Sequence, residues 1–192
     1  KGWTIFLVSD HGLICKTEEI PALGDPFGIN IKIMTELGYT VLQKDEQGNP
    51  LKAIDWNQTR ALAPRGNHIY LNLKGRDEHG IVEPCDRYHL EEEIISALYS
   101  YRWNGRRIVS LAMRNKEAAL LGLGGPYCGD ILYWLTEGPN RIHGDSLSTY
   151  YGYADTSVSP IFIAAGSGIK AGYTTKRVIR QVDVAATIAA LG

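Results

Sequence analysis

The chain has 192 residues, 44% of them apolar and 21% charged, with a formal net charge of −1. Such a length and composition suit one globular domain with a sizeable core. The near-neutral balance gives no reason to expect nucleic acid or an anionic membrane surface as a partner, and without a run of about 18 apolar residues no membrane-spanning segment is expected.

In chain order, the first signal is Trp3-Thr4-Ile5-Phe6-Leu7-Val8, aromatic and β-branched without strict alternation, which predicts a strand buried on both faces. It ends in Ser9-Asp10-His11-Gly12. A carboxylate and an imidazole side by side at a strand end suit a zinc-like divalent ion, and the glycine lets the backbone turn beside them. The plainer alternative is that Asp10 caps a turn and His11 packs nearby.

Gly12 to Gly28 reads as a Pro- and Gly-rich loop. Ile29 to Leu37 is an apolar stretch closed by Gly38, a helix stop. Tyr39 to Gln43 predicts a short strand, and Lys44 to Pro50 carries the turn chemistry of a hairpin tip. His68 to Leu73 predicts a strand that alternates weakly. The charged loop Lys74-Gly75-Arg76-Asp77-Glu78-His79-Gly80 reads first as a solvated turn, with Arg76 a candidate for phosphate because its fork matches phosphate oxygens.

Leu90, Ile94, Ala97, Leu98 and Tyr101 recur at helical spacing after Asp86, and Glu91, Glu92 and Glu93 read as a solvated helix face. Arg107 to Met113 predicts a strand and Lys116 to Leu121 a short helix. Gly122-Leu123-Gly124-Gly125-Pro126 matches no phosphate-binding fingerprint and reads as a bend. Asp130 precedes a strand over Ile131 to Leu135. Residues 136 to 159 are long and polar, a length that usually marks function or disorder, and contain His143-Gly144-Asp145-Ser146. Ile161 to Ala165 predicts a last strand, and Asp183 opens a final helix. The sparse cysteines, Cys15, Cys85 and Cys128, lack C-x-x-C spacing and read as reduced thiols of a cytoplasmic protein. No leader peptide is recognisable.

Ser9-Asp10-His11-Gly12 after an apolar strand resembles the metal-binding signature of the alkaline phosphatase superfamily. More narrowly, the chain is similar to bacterial type I phosphodiesterase/nucleotide pyrophosphatase proteins. The likeness continues in family order through Asn72-Leu73-Lys74-Gly75-Arg76-Asp77, Gly80-Ile81-Val82, Gly129-Asp130-Ile131, His143-Gly144 and Ser159-Pro160-Ile161-Phe162-Ile163-Ala164-Ala165-Gly166. It implies that residues 1–192 are the C-terminal portion of an alkaline phosphatase-like catalytic domain. The implied fold is α/β, a three-layer α/β/α sandwich with a largely parallel central sheet, truncated at its N-terminal side.

The activity implied is metal-dependent hydrolysis of phosphodiester or pyrophosphate bonds in a small phosphate-ester substrate of nucleotide type. Two divalent ions, zinc first among the candidates, would sit about 3.5–4 Å apart and assist in-line displacement at phosphorus. By resemblance, Asp10 and His11 would bind one ion and His143 the other. The Thr or Ser nucleophile and the remaining ligands lie upstream in that family, so the missing N-terminal half would be the necessary partner and this piece alone should be inactive. Two rivals stand beside this reading. One is another phosphoryl or phosphonate hydrolase or a phosphomutase of the superfamily, and the other is a non-catalytic binding module.

Overall fold

The computed structural model describes residues 2–10, 12, 31–64, 68–136 and 160–191. The elements are β1 (Thr4–Val8), α1 (Ile31–Glu36), β2 (Leu42–Lys44), β3 (Pro50–Ile54), β4 (Ala61–Leu62), β5 (His68–Leu71), α2 (Arg87–Ser100), β6 (Arg102–Trp103), β7 (Arg106–Arg107), β8 (Val109–Arg114), α3 (Asn115–Ala118), β9 (Ile131–Leu135), β10 (Phe162–Gly166) and α4 (Asp183–Leu191). They fall into two compact units, one of residues 1–12 with 159–192, the other of residues 13–158. The expected loop at 12–28 lies outside the described residues apart from Gly12, as does His143 with the rest of 137–159.

The larger unit is built on a four-stranded sheet in the order β4-β5-β9-β8, with each neighbouring pair antiparallel. The expected parallel three-layer sandwich is therefore corrected. Among the described residues the sheets are short and antiparallel, and the parallel pairing is an isolated bridge between Leu73 and Val82. The physical reason lies in one insertion. β5 and β8 both run antiparallel to β9, so they run parallel to each other, with α2 as the crossover between them. A strand–helix–strand signal in the sequence reads as adjacent parallel strands. Here β9 slots between the two and reverses the pairing on both sides.

That central position explains the composition of β9, in which all five residues are buried. Ile131, Tyr133 and Leu135 join the main core, while Leu132 and Trp134 pack with Ala118 on the other face. A strand covered on both faces has no position left for a polar side chain. β5 has the alternating burial of its neighbour's half-covered flank: Ile69 and Leu71 enter the core, and His68 and Tyr70 face the other way. α2 lays Leu90, Ile94 and Leu98 on the main core, the spacing of a single helical face.

Edges are closed by side chains. The Tyr99 hydroxyl, on α2, donates to the Ala112 carbonyl at 3.1 Å and accepts from the Ala112 amide at 3.0 Å, occupying both main-chain groups of a residue on the outermost strand. This removes a pairing site that an edge strand otherwise offers to another chain. The hairpin β2–β3 matches its turn signal. Asp45 accepts from the amides of Gln47 and Asn49 at 2.9 and 2.8 Å, and Gly48 takes φ 86°. Bonds from Asn49 above all hold the Asp45 carboxyl below its ordinary range.

The loop 74–80 is tied down as a turn. Asn72, only 2% exposed, donates to the carbonyls of Thr59 and His79 at 2.9 Å each. Asp77 accepts from the Leu73 amide at 2.8 Å, and Gly80 lies so close to Leu73 that an added Cβ would stand 2.1 Å from its carbonyl oxygen. Asn72→Ala strands two carbonyls beneath this loop and should lower the unfolding free energy by about 1–3 kcal/mol. Urea titration followed by tryptophan fluorescence reads this directly, and an unchanged midpoint would mean that water replaces the amide.

The smaller unit pairs β1 with β10 antiparallel, Thr4 opposite Gly166 and Val8 opposite Phe162. Phe6 and Phe162 meet on one face with ring centroids 6.2 Å apart. The expectation that β1 is buried on both faces is not met, since Ile5 is 65% and Leu7 53% exposed. An unalternating apolar run reports that both faces are apolar. Burial needs a layer on each face, and none of the residues of β1 and β10 reaches full burial. Among the described residues of either unit, no helix is long and apolar enough to cross a membrane.

Candidate metal centre

Asp10 follows the end of β1 and is exposed. Its position is set by Ser9, whose backbone and side chain are held from three directions. The Ser9 amide donates to the Ile161 carbonyl at 3.4 Å, the Ser9 hydroxyl accepts from the Ile161 amide at 3.1 Å, and the Ser9 carbonyl accepts from Gln181 Nε2 at 3.1 Å. Anchoring of the preceding residue fixes where the carboxylate emerges, which a metal ligand requires. The rule that ligands bind outside the carboxyl ends of strands belongs to parallel α/β sheets. β1 is antiparallel to its neighbour, so that rule lends the site no support, and its supports are donor chemistry and the Ser9 tether.

His11 and His143, the other two predicted ligands, lie outside the described residues. Among the described residues, no three His, Cys, Asp or Glu side chains gather in a way that could hold an ion.

Two sequence-based assignments in the larger unit change once the side chains are placed. Arg76, the phosphate candidate, is committed elsewhere. Its Nη1 donates to Asp130 Oδ1 at 2.7 Å, its Nε to Asp77 Oδ2 at 3.0 Å, and its Nη2 to the Leu71 carbonyl. The bonds to Asp130 raise the Arg76 pKa well above its ordinary value, so the fork is a fixed cation whose donors already have acceptors.

The glutamate trio is likewise not one solvated face. Glu91 is 1% exposed and accepts from Arg87 Nε at 2.8 Å, whereas Glu92 and Glu93 remain on the surface side of α2. Glu91 Oε2 also faces Arg114 Nε at 3.2 Å, an ion contact whose angle falls short of a hydrogen bond.

These groups form one chain of charge: Arg76, Asp130, Arg87, Glu91 and Arg114, the last reaching outward to Glu92 and to Glu117. Asp130, 3% exposed, also accepts from the Leu71 amide at 2.7 Å. The chain ties β5, α2, β8 and the start of β9 together and leaves the arginines facing carboxylates. It is built to hold the sheet to the helix, and Asp130 acts in structure.

A groove of about 280 Å³ runs beside α2, floored by Ile81, Val82 and Leu90 and rimmed by Arg60, Glu83, Asp86, His89 and Glu93. Arg60 pairs with Glu93 at 3.1 Å and stacks 5.2 Å above the Tyr39 ring. Burial, with Glu93 beside it, pushes the Tyr39 phenol up to about 12. Lys74 bonds to Glu83 on the same rim. The cationic side chains of the rim are thus already neutralised locally, which leaves no free cationic fork for a phosphate.

Cys85 and Cys128 are both free thiols. The sequence assigned no role to the side chains of Asn72, Asn115 and His68, which prove to be polar anchors of loops. A signal was present at Asn115, a strong turn former set before a glycine-rich segment. No protein family, curated protein or solved structure matches the chain.

Proposed function

We propose that the protein to which this chain belongs hydrolyses phosphodiester or pyrophosphate bonds in a small nucleotide-type substrate, with two divalent ions, zinc first among them. The observation that carries the proposal is the exposed Asp10 immediately after the Ser9 anchor, inside a Ser-Asp-His-Gly sequence that resembles the alkaline phosphatase superfamily. A hard carboxylate followed by an imidazole, on a backbone held at its preceding residue, fits zinc in donor type. Asp10 and His11 would hold one ion and His143 the other, and bound ions would activate an oxygen nucleophile and neutralise phosphoryl charge.

This chain contributes position and charge. Ser9 fixes the backbone from which Asp10 projects, and the Asp10 carboxylate supplies a hard oxygen ligand. Arg76 takes no part in substrate binding, because its donors are spent on Asp130, Asp77 and Leu71. In the resembling family the nucleophile precedes the strand that β1 matches, so the proposal assigns it upstream of Lys1. Free thiols at Cys85 and Cys128 fit the reducing cytoplasm proposed as its compartment.

The test is hydrolysis of bis(p-nitrophenyl) phosphate with added zinc. The 192-residue chain should give no turnover, and a longer form carrying the upstream sequence should be active. In that form Asp10→Ala should lower kcat/KM by about a hundredfold or more, since even outer-shell partners of metal ligands are worth 10–100-fold. Robust turnover by the short chain, or an Asp10→Ala enzyme of unchanged activity, would overturn the proposal.

A further inference from the structure

We propose that His68 is a proton-operated latch on the glycine-rich segment 122–129. The segment connects α3 and its following turn to β9 and is held by two side chains from outside it. Asn115 is the first. Its Nδ2 donates to the Gly125 and Gly129 carbonyls at 2.9 and 2.8 Å, and its Oδ1 accepts from the Gly125 amide at 2.9 Å. His68 is the second, with Nδ1 accepting from the Gly129 amide at 3.0 Å. Amide side chains do not titrate in the acid range, so of the two anchors only the imidazole responds to protons there.

The geometry fixes the protonation state. An imidazole that accepts at Nδ1 carries its proton on Nε2. Adding a proton to Nδ1 turns it into a donor aimed at another N–H 3.0 Å away. Rotating the ring by half a turn brings a carbon to that place, which accepts nothing. The backbone cannot shift inward to escape, because a Cβ at Gly129 would already lie 2.7 Å from the Ile69 carbonyl oxygen and 2.9 Å from His68 Cβ. Relief comes by separation of the Gly129 amide from the imidazole.

Among the described residues the Tyr70 phenol, two positions along β5, has its ring 6.3 Å from that of His68, and the half-buried Cys128 thiol, next to Gly129 in the chain, donates to the Gly124 carbonyl at 3.1 Å. Leu132 is the partner of His68 on β9. Burial holds the imidazole below the ordinary histidine value of 6.5, the direction expected when the neutral ring is the bonded form. The unfolded chain therefore takes up the proton first as pH falls. The latch's contribution to stability is complete above 6.5 and is lost below it, down through the folded-state value.

What the latch governs is exposed and apolar. Tyr127 is 95% and Leu123 45% exposed on this segment, and Asp130, the centre of the ion-pair chain, is the next residue after Gly129. Acidification thus releases the Gly129 amide and loosens the junction of this segment with β9, while Asn115 keeps hold of the Gly125 and Gly129 carbonyls.

Amide hydrogen exchange by NMR tests this on the 192-residue chain, with rates corrected for intrinsic pH dependence and His68 ring protons followed in the same samples. Protection of the Gly129 amide should fall by about tenfold or more on acidification, the size expected when a buried donor loses its acceptor, with its midpoint at the His68 titration. The Ile94 amide within α2 should not follow it. His68→Asn places Oδ1 where Nδ1 was and should keep Gly129 protected at both ends of the pH range. Constant Gly129 protection through the His68 midpoint would overturn the latch, and so would a loss in His68→Asn at the same pH as in the wild type. The wild-type comparison needs no variant to fold.

Discussion

Glu91→Ala should lower the unfolding free energy of the unit formed by residues 13–158 by about 3–5 kcal/mol, the usual penalty for removing one partner of a buried ion pair. The carboxylate is 1% exposed and stands between two guanidinium groups, Arg87 at 2.8 Å and Arg114 at 3.2 Å. Its removal takes the buried partner from Arg114, whose side chain is only 21% exposed. Arg87 keeps Asp130, and Arg114 keeps Glu92 and Glu117, so the loss is not total. A domain of this size is stable by roughly 5–15 kcal/mol, and a cost of this order moves the urea midpoint far enough to be read without extrapolation. Tryptophan emission is a suitable probe because Trp134 lies on the central strand β9. A loss below about 1 kcal/mol would show that Glu91 behaves as a surface carboxylate, which is how its sequence neighbourhood reads.

Asp130→Ala should be as damaging, about 3–5 kcal/mol, for a different reason. Asp130 couples charge to backbone: Oδ2 accepts from the Leu71 amide at 2.7 Å while Oδ1 faces Arg76 at 2.7 Å and Arg87 at 3.2 Å. The alanine variant orphans a main-chain donor at the end of β5 and takes the buried partner from two cations, leaving Arg76 with Asp77 and Arg87 with Glu91. Asp130→Asn keeps an acceptor for Leu71 and should recover part of the loss, which separates the backbone contribution from the ionic one. Arg87 touches both Asp130 and Glu91. The double variant, in which Arg87 keeps neither carboxylate, should therefore be more unstable than the sum of the single ones, by about 0.5–3 kcal/mol for residues in one network. Strict additivity would mean that the two carboxylates act separately and that the chain of contacts from Arg76 to Arg114 is not a unit.

The position of Glu91 shows where local reasoning stops. Three glutamates in succession near a helix start agree with the helix dipole and with solvation, and for Glu92 and Glu93 that reasoning holds. One of any three consecutive helical residues points a third of a turn away from the next, and here that direction meets Arg114 on β8. No feature within the helix announces an arginine 23 positions later in the sequence. Arg76 is the mirror case: a guanidinium in a charged loop looks free to bind an anion until Asp130 is brought beside it.

What the sequence determined by itself was local: α2 from its apolar spacing, β9 from its uninterrupted apolar run, the β2–β3 turn from Asp45, Asn49 and Gly48, and the end of α1 at Gly38, which takes φ 79°. These follow from backbone preferences and side-chain periodicity over a few residues. Strand order and direction were decided only in three dimensions, when β9 entered between β5 and β8 and turned an expected parallel sheet antiparallel. Burial was decided there too, for Glu91 and Asn72 inside and for Ile5 and Leu7 outside. Periodicity states which faces of an element are apolar. What lies against each face is set by segments far away along the chain, and their contact energies appear in no single stretch of sequence.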